Sequence, residues 1–461
     1  MRRYIPLIAM SVLLTGCPRP SQYVRPELPV PATWPAGSAA ETGAPAPDDL
    51  KWQEFFGDQR LRSVIELALA NNRDLRMASL NIEKFQALYR IQRAEQFPTV
   101  VASASADAYR VPKTASGQED ETVAQFTVGL GMVSWELDFF GRIRSLKSRA
   151  LEQYLATEQA RRSVQISLIA EVAANYLTLA ADRERLALSK ETLANYLVSY
   201  DLSRSRFEVG IASALDFNQA KTAVEAARVE IARYTTLVAQ DENALNLVVG
   251  APVPAELLPP GLSETLTAMQ DLPSGLPSDV LLRRPDILQA ESLLKGYNAN
   301  IGAARAAFFP RIVLVSTIGT GSSELSGLFG DGSLVWSFVP SVTLPIFDAG
   351  RNQANLQVAE VDRDIAVARY EQAIQTAFRE VADALARRGT IDEQLAAQQS
   401  LTDATAESYR LSQARFDKGV DNYLAVLVSQ RFLYGAQQSL ISARLDRLDN
   451  QVRLYKALGG G

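Results

Sequence analysis

The sequence predicts an α+β membrane protein with an internal duplication, in which strands from several copies of the chain share one β-barrel. Three observations predict this class. Motifs of the first half recur in the same order in the second half, and two segments in each half alternate apolar and small polar residues. Long stretches with helical heptad spacing follow each of those segments.

The duplication keeps one register over a long stretch. Gly141, which precedes a helical run, matches Gly350, and further pairs follow at the same offset: Arg142/Arg351, Arg206-Phe207/Arg415-Phe416, Gly210/Gly419 and Gly250/Gly459. A register held without slippage indicates that each copy is one structural unit. We therefore predict a first repeat over residues 61–250, a linker over 251–277 and a second repeat over 278–461.

Composition limits the function classes. The chain has 461 residues, a net charge of −5, no histidine and one cysteine. A nucleic-acid partner is not expected, because such proteins present a basic face. Histidine chemistry, disulfides and thiolate metal sites are excluded as well. No enzyme and no cofactor is predicted, since no nucleophile–base set, metal cluster or phosphate loop is visible.

The N-terminus resembles a bacterial lipoprotein signal. Arg2 and Arg3 precede an apolar stretch that is too short to span a bilayer, and Leu14-Thr15-Gly16-Cys17 follows. The resemblance implies that residues 1–16 are removed and that Cys17 carries a diacylglyceryl group and an N-acyl chain. Pro18 after the cysteine implies the outer membrane. The alternative is a plain secretory signal followed by an incidental cysteine. Residues 17–60 are predicted as a lipidated tether, since the stretch up to about 50 is rich in Pro, Ala, Gly and Ser.

Each repeat contains a predicted β-hairpin, at 99–137 and at 311–347. In the last strand the apolar residues alternate with neighbours that include Ser337, Ser341 and Thr343; they are Leu334, Trp336, Phe338, Pro340, Val342, Leu344 and Ile346. Strands with one apolar and one small polar face are typical of a transmembrane barrel. A soluble sandwich with one buried face remains an alternative at this point.

Each hairpin is followed by a predicted antiparallel helical hairpin, at 141–249 and 350–458. The stretch from Gly141 to Gly210 would be roughly 100 Å long as a helix at 1.5 Å per residue. Gly210 and Gly419 are expected to allow the tight reversals. A break near Gly389 is predicted to divide the second long helix.

Four strands per chain cannot close a barrel, and their edges could not remain unpaired in lipid. Two chains would give eight strands, too narrow for an open pore. Three chains would give twelve, enough for an aqueous lumen. The sequence thus predicts a homotrimer.

Several motifs resemble the TolC-type outer-membrane efflux channels, in the OprM-like lipoprotein branch of NodT-type outer-membrane factors. They are Trp135-Glu-Leu-Asp-Phe-Phe-Gly-Arg142, Leu282-Arg-Arg-Pro-Asp286, Asn300-Ile-Gly-Ala-Ala-Arg-Ala-Ala-Phe-Phe-Pro310 and Leu344-Pro-Ile-Phe-Asp-Ala-Gly350. The resemblance implies a trimeric twelve-stranded barrel in the outer membrane and a periplasmic helical coiled-coil tunnel, with the 251–277 linker in its equatorial region. It also implies a periplasmic adaptor (membrane fusion protein) and an inner-membrane RND-type pump as partners.

The same resemblance places a channel gate at the periplasmic tip. Leu424 matches the hydrophobic gate leucine, with a packed seam residue as the alternative. Val428 stands where the family usually has an aspartate. Asp216 and Asp421 remain as nearby carboxylates that could line the pore, or be solvated turn residues.

The adaptor-facing surface is expected at the two turns, and it comprises Arg206, Phe207, Gly210, Arg415, Phe416 and Gly419. Phe207 and Phe416 could instead, or in addition, pack within their own hairpins. The predicted function is an exit duct for multidrug efflux. The alternatives are a duct for protein or peptide secretion and, in another class, a periplasmic coiled-coil scaffold without a pore.

Overall fold

The computed structural model describes residues 23–35, 51–112, 114, 121–262, 269 and 277–460. The predicted signal peptide and Cys17 lie outside these residues. The predicted class is confirmed, because long helices accompany four antiparallel strands in the chain. The described elements are α1 Trp52–Phe55, α2 Gln59–Asn71, α3 Arg73–Ala94, β1 Val100–Val111, β2 Glu121–Glu136, α4 Arg142–Glu208, α5 Ala214–Val249, α6 Pro285–Ala306, β3 Arg311–Ser322, β4 Leu334–Thr343, α7 Arg351–Asp417 and α8 Tyr423–Ala457.

The chain forms two compact units. The first consists of Asn81–Glu158 and Gln289–Tyr370 with the segment up to Glu27, and it holds the strands. The second consists of Leu28–Leu80, Gln159–Leu288 and the chain from Glu371 onward. It holds most of the long helices and both of their turns.

The strands form one sheet in the order β1-β2-β3-β4, with each neighbour antiparallel. Residues paired across strands share a face, so the register sorts the side chains. One row is Ala102–Leu130–Ile318–Trp336, and the row on the opposite face is Val101–Gly131–Thr317–Ser337. The Trp336 face is exposed and apolar. On the other face the Thr317 and Ser337 hydroxyls lie 2.7 Å apart.

Two glycines on β2 and β3 face each other and bring the two backbones close. Gly129 pairs with Gly319. A Cβ on Gly319 would lie 2.3 Å from the Val128 carbonyl oxygen, and a Cβ on Gly129 would lie 2.7 Å from the Ile318 carbonyl oxygen. Such distances are far inside van der Waals contact, so side chains at this pair would force the strands apart.

The core of the second unit lies between its long helices. Tyr176 of α4, Ile374 of α7 and Tyr455 of α8 are fully buried, and Phe55 stacks on Tyr455 with ring centroids 4.4 Å apart. Of the described helices, α4 alone is long and apolar enough to span a membrane, and most of its apolar stretch is buried in the protein. That burial is typical of a core helix.

The predicted break at Gly389 is wrong. Helix α7 runs without interruption for 67 residues. Glycine costs only about 1 kcal/mol relative to alanine inside a helix. The helical turns on either side of Gly389 are held by tertiary contacts. Arg387 forms an ion pair of 2.9 Å with Asp446, and the Ile391 side chain is buried.

The predicted tether, residues 17–60, extends too far towards the C-terminus. Residues 52–60 are packed, since α1 begins at Trp52 and the side chains of Trp52, Phe55 and Phe56 are buried. Asp58 caps α2 by accepting from the Leu61 amide at 2.9 Å. The sequence analysis missed this packed segment because its few aromatic side chains do not show a helical period.

Part of the preceding segment is also anchored. In the first unit Arg25 donates to both carboxylate oxygens of the buried Glu291, at 3.1 and 2.7 Å. In the second unit Trp34 stacks on Phe378 with centroids 4.7 Å apart. The fourth strand ends at Thr343, earlier than its predicted end at 347, because Pro345 follows and cannot donate to a ladder.

Candidate functional site

The first helical hairpin reverses at Gly210. Helix α4 ends at Glu208, and Gly210 has a φ of +76°, which a residue with a side chain rarely adopts. The Gly210 amide donates to the Phe207 carbonyl at 3.0 Å, and the Ile211 amide donates to the Arg206 carbonyl at 2.8 Å. These two bonds are a Schellman motif, which satisfies the last carbonyls of the helix.

Ser213 and Asp216 start the return helix α5 as a capping box. The Asp216 amide donates to Ser213 Oγ at 3.2 Å, and the Ser213 amide donates to Asp216 Oδ2 at 3.1 Å. The Ser213 hydroxyl also donates to Oδ2 at 2.7 Å. The carboxylate proposed for the pore is therefore already bound within its own turn.

The second hairpin repeats this geometry. Gly419 has a φ of +73°, its amide donates to the Phe416 carbonyl at 2.9 Å, and the Val420 amide donates to the Arg415 carbonyl at 2.9 Å. Asn422 caps α8 by accepting from the Ala425 amide at 3.3 Å. Equal offsets in the duplicated sequence thus give equal turns.

An ion pair spans the second turn in addition. Arg415 Nε donates to Asp421 Oδ2 at 2.5 Å, and a terminal nitrogen of Arg415 donates to Oδ1 at 3.0 Å. This hydrogen-bonded guanidinium holds the pKa of the Asp421 carboxyl below its usual range. Asp421 therefore keeps its charge at neutral pH and is paired inside the chain.

Aromatic contacts tie each turn to its own hairpin and also join the two hairpins. Phe207 stacks on Phe217 at 5.4 Å, and Phe416 packs at a tilt on Tyr423 at 5.3 Å. The guanidinium of Arg206, in the first hairpin, lies 5.1 Å from the centre of the Phe416 ring in the second. A cation over an aromatic face is an attractive contact.

Behind the turns the two hairpins share an apolar cluster. Its buried members come from α4, α5 and α8 and are Tyr196, Ala220, Val224, Ala227, Tyr423, Val426 and Leu427. The alanines and valines let the helix backbones approach closely. The tips are thus one packed body within the chain.

Leu424 lies at the edge of this cluster, beside an open groove. Its side chain is 42% exposed, whereas Val426 is fully buried. Its own chain therefore does not enclose Leu424, and the gate and the packed seam both stay predictions for the trimer. Leu424 and Val428, one turn apart, line an open groove of about 520 Å³ together with Tyr196, Glu230 and Arg431.

The structure brings together two of the four predicted gate residues, Leu424 and Val428. Asp216 and Asp421 lie at the two turns and are bound there to Ser213 and Arg415. The contacts that sequence reasoning missed are this capping box, the Arg415–Asp421 pair and the Arg206–Phe416 contact. A Ser-x-x-acid pattern signals a capping box, so the first was accessible from the sequence. Within the described residues, no group of three acidic, histidine or cysteine side chains is placed to hold a metal ion.

Comparisons with known proteins agree with this architecture. A family model described as outer membrane efflux protein matches residues 64–251 and 276–460. The chain is 48% identical over 459 residues to the probable efflux pump outer membrane protein TtgC of Pseudomonas putida, which covers 99% of this chain and 95% of that protein.

Solved structures are similar over nearly the whole chain. A membrane protein from Pseudomonas aeruginosa superposes with a TM-score of 0.90 at 43% identity, over 95% of this chain and 99% of that one. The open state of the Neisseria gonorrhoeae MtrE outer membrane channel superposes with a TM-score of 0.88 at 38% identity, over 96% and 98%.

Proposed function

Because this chain belongs to the outer membrane efflux protein family, we propose that it is the outer-membrane duct of a tripartite multidrug efflux system. The duct is passive, and it conducts drugs and other small molecules to the exterior. Relatives at 48% identity are named antibiotic and solvent efflux pump outer membrane proteins, which supports this class of exported compound.

The observation that carries the proposal is the sheet. Its Trp336 face is apolar and exposed, its Thr317 face carries hydroxyls and glycines, and its edge strands β1 and β4 pair with one neighbour each within the chain. Lipid would be in contact with the first face and water with the second. Three copies would pair these edges into a closed barrel of twelve strands, the trimeric arrangement of the channels to which this fold is similar.

We place the constriction at Leu424. This leucine is exposed on one chain and lies close to the hairpin turn. Three such side chains around a common axis would exclude water from a narrow pore. Val428, one turn further along α8, contributes no charge at its own level.

The partners we propose are a periplasmic adaptor and an inner-membrane RND-type pump. The adaptor would contact the turns at Gly210 and Gly419. Exposed apolar side chains near the turns support this, since Val209, Ile211 and Val420 are each more than half exposed. Exposed apolar groups on a soluble part of a protein are typical of contact sites.

We further propose that Cys17 carries the diacylglyceryl and N-acyl chains. Several acyl chains on one residue would hold the N-terminus stably in the outer membrane. Mass spectrometry of the mature N-terminal peptide tests this, and an unmodified or absent Cys17 would contradict it.

The test of the duct is conductance. Purified protein inserted into planar bilayers should give discrete ion-conducting events, and expression in a strain that lacks its own outer-membrane duct should lower drug accumulation. The matched control is the Gly319→Ala variant. We expect it not to form the sheet and therefore to give no conductance and no change in drug accumulation. Protein that assembles as a trimer but gives no conductance would reject the duct.

A further inference from the structure

A polar network crosses the helical bundle away from the turns. It joins α4, α5 and α8 in the second unit, and the proposed function makes no use of it. Its charged members are Asp182 and Arg185 of α4 and Asp241 of α5. A charge inside a helical bundle is costly unless it is paired. The pairing of these three side chains therefore determines how much they stabilise or destabilise the packing of the helices.

Arg185 connects two helices. One terminal nitrogen donates to Asp182 Oδ1 at 2.5 Å, and the other donates to Ser442 Oγ of α8 at 2.9 Å. The Asp182 side chain is nearly inaccessible, with 5% of the residue exposed. Asp182 and Arg185 are therefore one buried ion pair that also links the first helical hairpin to the second.

Asp241 adds a second carboxyl to this pair. Its Oδ2 is shielded from solvent and has no hydrogen-bond donor among the described residues. Burial, together with the facing Asp182 carboxyl, raises the pKa of Asp241 to about 6, and the nearby Arg185 lowers it by less. A carboxyl oxygen that faces another carboxyl without a donor becomes satisfied when one proton is shared between them.

Among the described residues, Asp182 and Arg185 are the charged groups that act on Asp241. From α4 it is faced by Asp182 and Arg185, while Arg183 is committed to Glu242 at 2.7 Å and to the Pro259 carbonyl at 2.8 Å. From α8 the groups that bind the network are neutral, while Arg444 of that helix lies 3.7 Å from Glu184 of α4. Ser442 binds Arg185, the Tyr434 and Ser189 hydroxyls lie 2.8 Å apart, and Tyr234 of α5 donates to Gln438 at 3.0 Å.

We propose that Asp182 and Asp241 form a proton-sensitive link that packs α4 tightly against α5, beside the Arg185 contact with α8, when one proton is shared between the two carboxyls. With the proton bound, the pair carries one negative charge, which Arg185 balances. Without it, two negative charges face one positive charge in a partly buried site, and their repulsion loosens the packing of α4 against α5. The link acts on the same bundle as the proposed constriction, so its effect on opening rests on the proposed function.

The direction of the pH effect follows from the raised pKa. The folded protein binds the Asp241 proton more tightly than the unfolded chain does. The ionised pair therefore destabilises the fold above about pH 6, and this cost falls progressively as the pH drops from there towards the ordinary aspartate pKa of about 3.9. The link is tight in mild acid and loose at higher pH.

The test uses the full-length trimer and the isosteric variant Asp241→Asn. The wild-type melting temperature should rise as the pH is lowered from about 8 to about 5, and the variant should melt higher than wild type at about pH 8, with a flatter profile. Infrared difference spectra over the same range should show a protonated-carboxyl band in the wild type that the variant lacks. Glu225→Gln, which removes an exposed carboxylate from the same helix, should keep both behaviours of the wild type.

Equal pH profiles of the wild type and Asp241→Asn, or an unchanged infrared band, would overturn the link. Failure of Asp241→Asn to assemble would overturn it too, because a neutral residue here is expected to pack at least as well as the ionised one. Conductance measured over the same pH range separates the two proposals. Without any conductance the duct fails, while the melting and infrared differences still decide the link.

Discussion

Leu424 is the single residue whose substitution tests the constriction most directly. Leu424→Ala removes most of an exposed apolar side chain from the groove and leaves the buried Val426 and Leu427 in place. A wider, wetter constriction should open at least several-fold more often in bilayer recordings. Leu401→Ala, an exposed leucine on α7, is the control and should behave as wild type. Equal opening in both variants would remove Leu424 from the gate.

The ion pair at the second turn predicts a pH effect of opposite direction to that of the buried carboxyls. Arg415 lowers the pKa of Asp421, so this pair stabilises the turn above the ordinary aspartate pKa and is lost only as the pH falls through the lowered value. Asp421→Asn should therefore reduce the protection of the Gly419 and Val420 amides against exchange at neutral pH. The wild type should lose this protection only in strong acid. Asp417→Asn, which changes a neighbouring carboxyl bound to Gln413, should leave exchange slow.

Among the elements, helix α5 owes its start to the Ser213 capping box. Ser213→Ala removes the acceptor of the Asp216 amide, and losing such a cap costs about 1 kcal/mol. Amide exchange in the first turn of α5 should accelerate about fivefold as a result. Ser205→Ala is the matched control, because the Ser205 hydroxyl donates to the Asp201 carbonyl within helix α4 and caps no helix start. Similar acceleration in both variants would argue against the cap.

Elements with a regular signal were predictable, and those set by distant contacts were not. The reversals at Gly210 and Gly419 followed from glycines at equal places in two copies, and the strands followed from a period of two. The break expected at Gly389 failed, because packing of α7 outweighs the weak preference of one glycine. The short helix at Trp52 was missed for the same reason, since burial of its aromatic side chains holds it.

The site divides in the same way. Leu424 was named because it matches the gate leucine of the family, and its role stays a prediction, while the two aspartates were named from their nearness in sequence. What those aspartates bind could not be predicted, because the capping box and the ion pair depend on turn geometry. The contact of Arg206 with Phe416 joins residues from different repeats, and no local pattern records it.

At the scale of the whole molecule, the duplication gives two hairpins whose turns share one backbone geometry but are held by different side-chain contacts. The first turn is held by the capping box of Ser213 and Asp216, and the second by the ion pair of Arg415 and Asp421. Around a threefold axis these would alternate as six turns of two kinds. The carboxyls of Asp182 and Asp241 belong to the first repeat alone, so the proposed link would make the repeats differ in their response to pH as well.

The facing glycines of β2 and β3 allow these two strands to approach closely, and we expect the barrel to depend on them. In Gly319→Ala the new Cβ would lie 2.3 Å from the Val128 carbonyl oxygen, a backbone atom that cannot move without separating the strands. In Gly321→Ala, two residues along the same strand and on the same face, the nearest atoms are side-chain carbons at 3.6 Å, which is ordinary contact. We expect Gly319→Ala to abolish recovery of the trimer from outer membranes and Gly321→Ala to assemble as wild type. Because the two substitutions add the same methyl group, equal trimer yields would show that close approach of these two strands is not what the barrel requires.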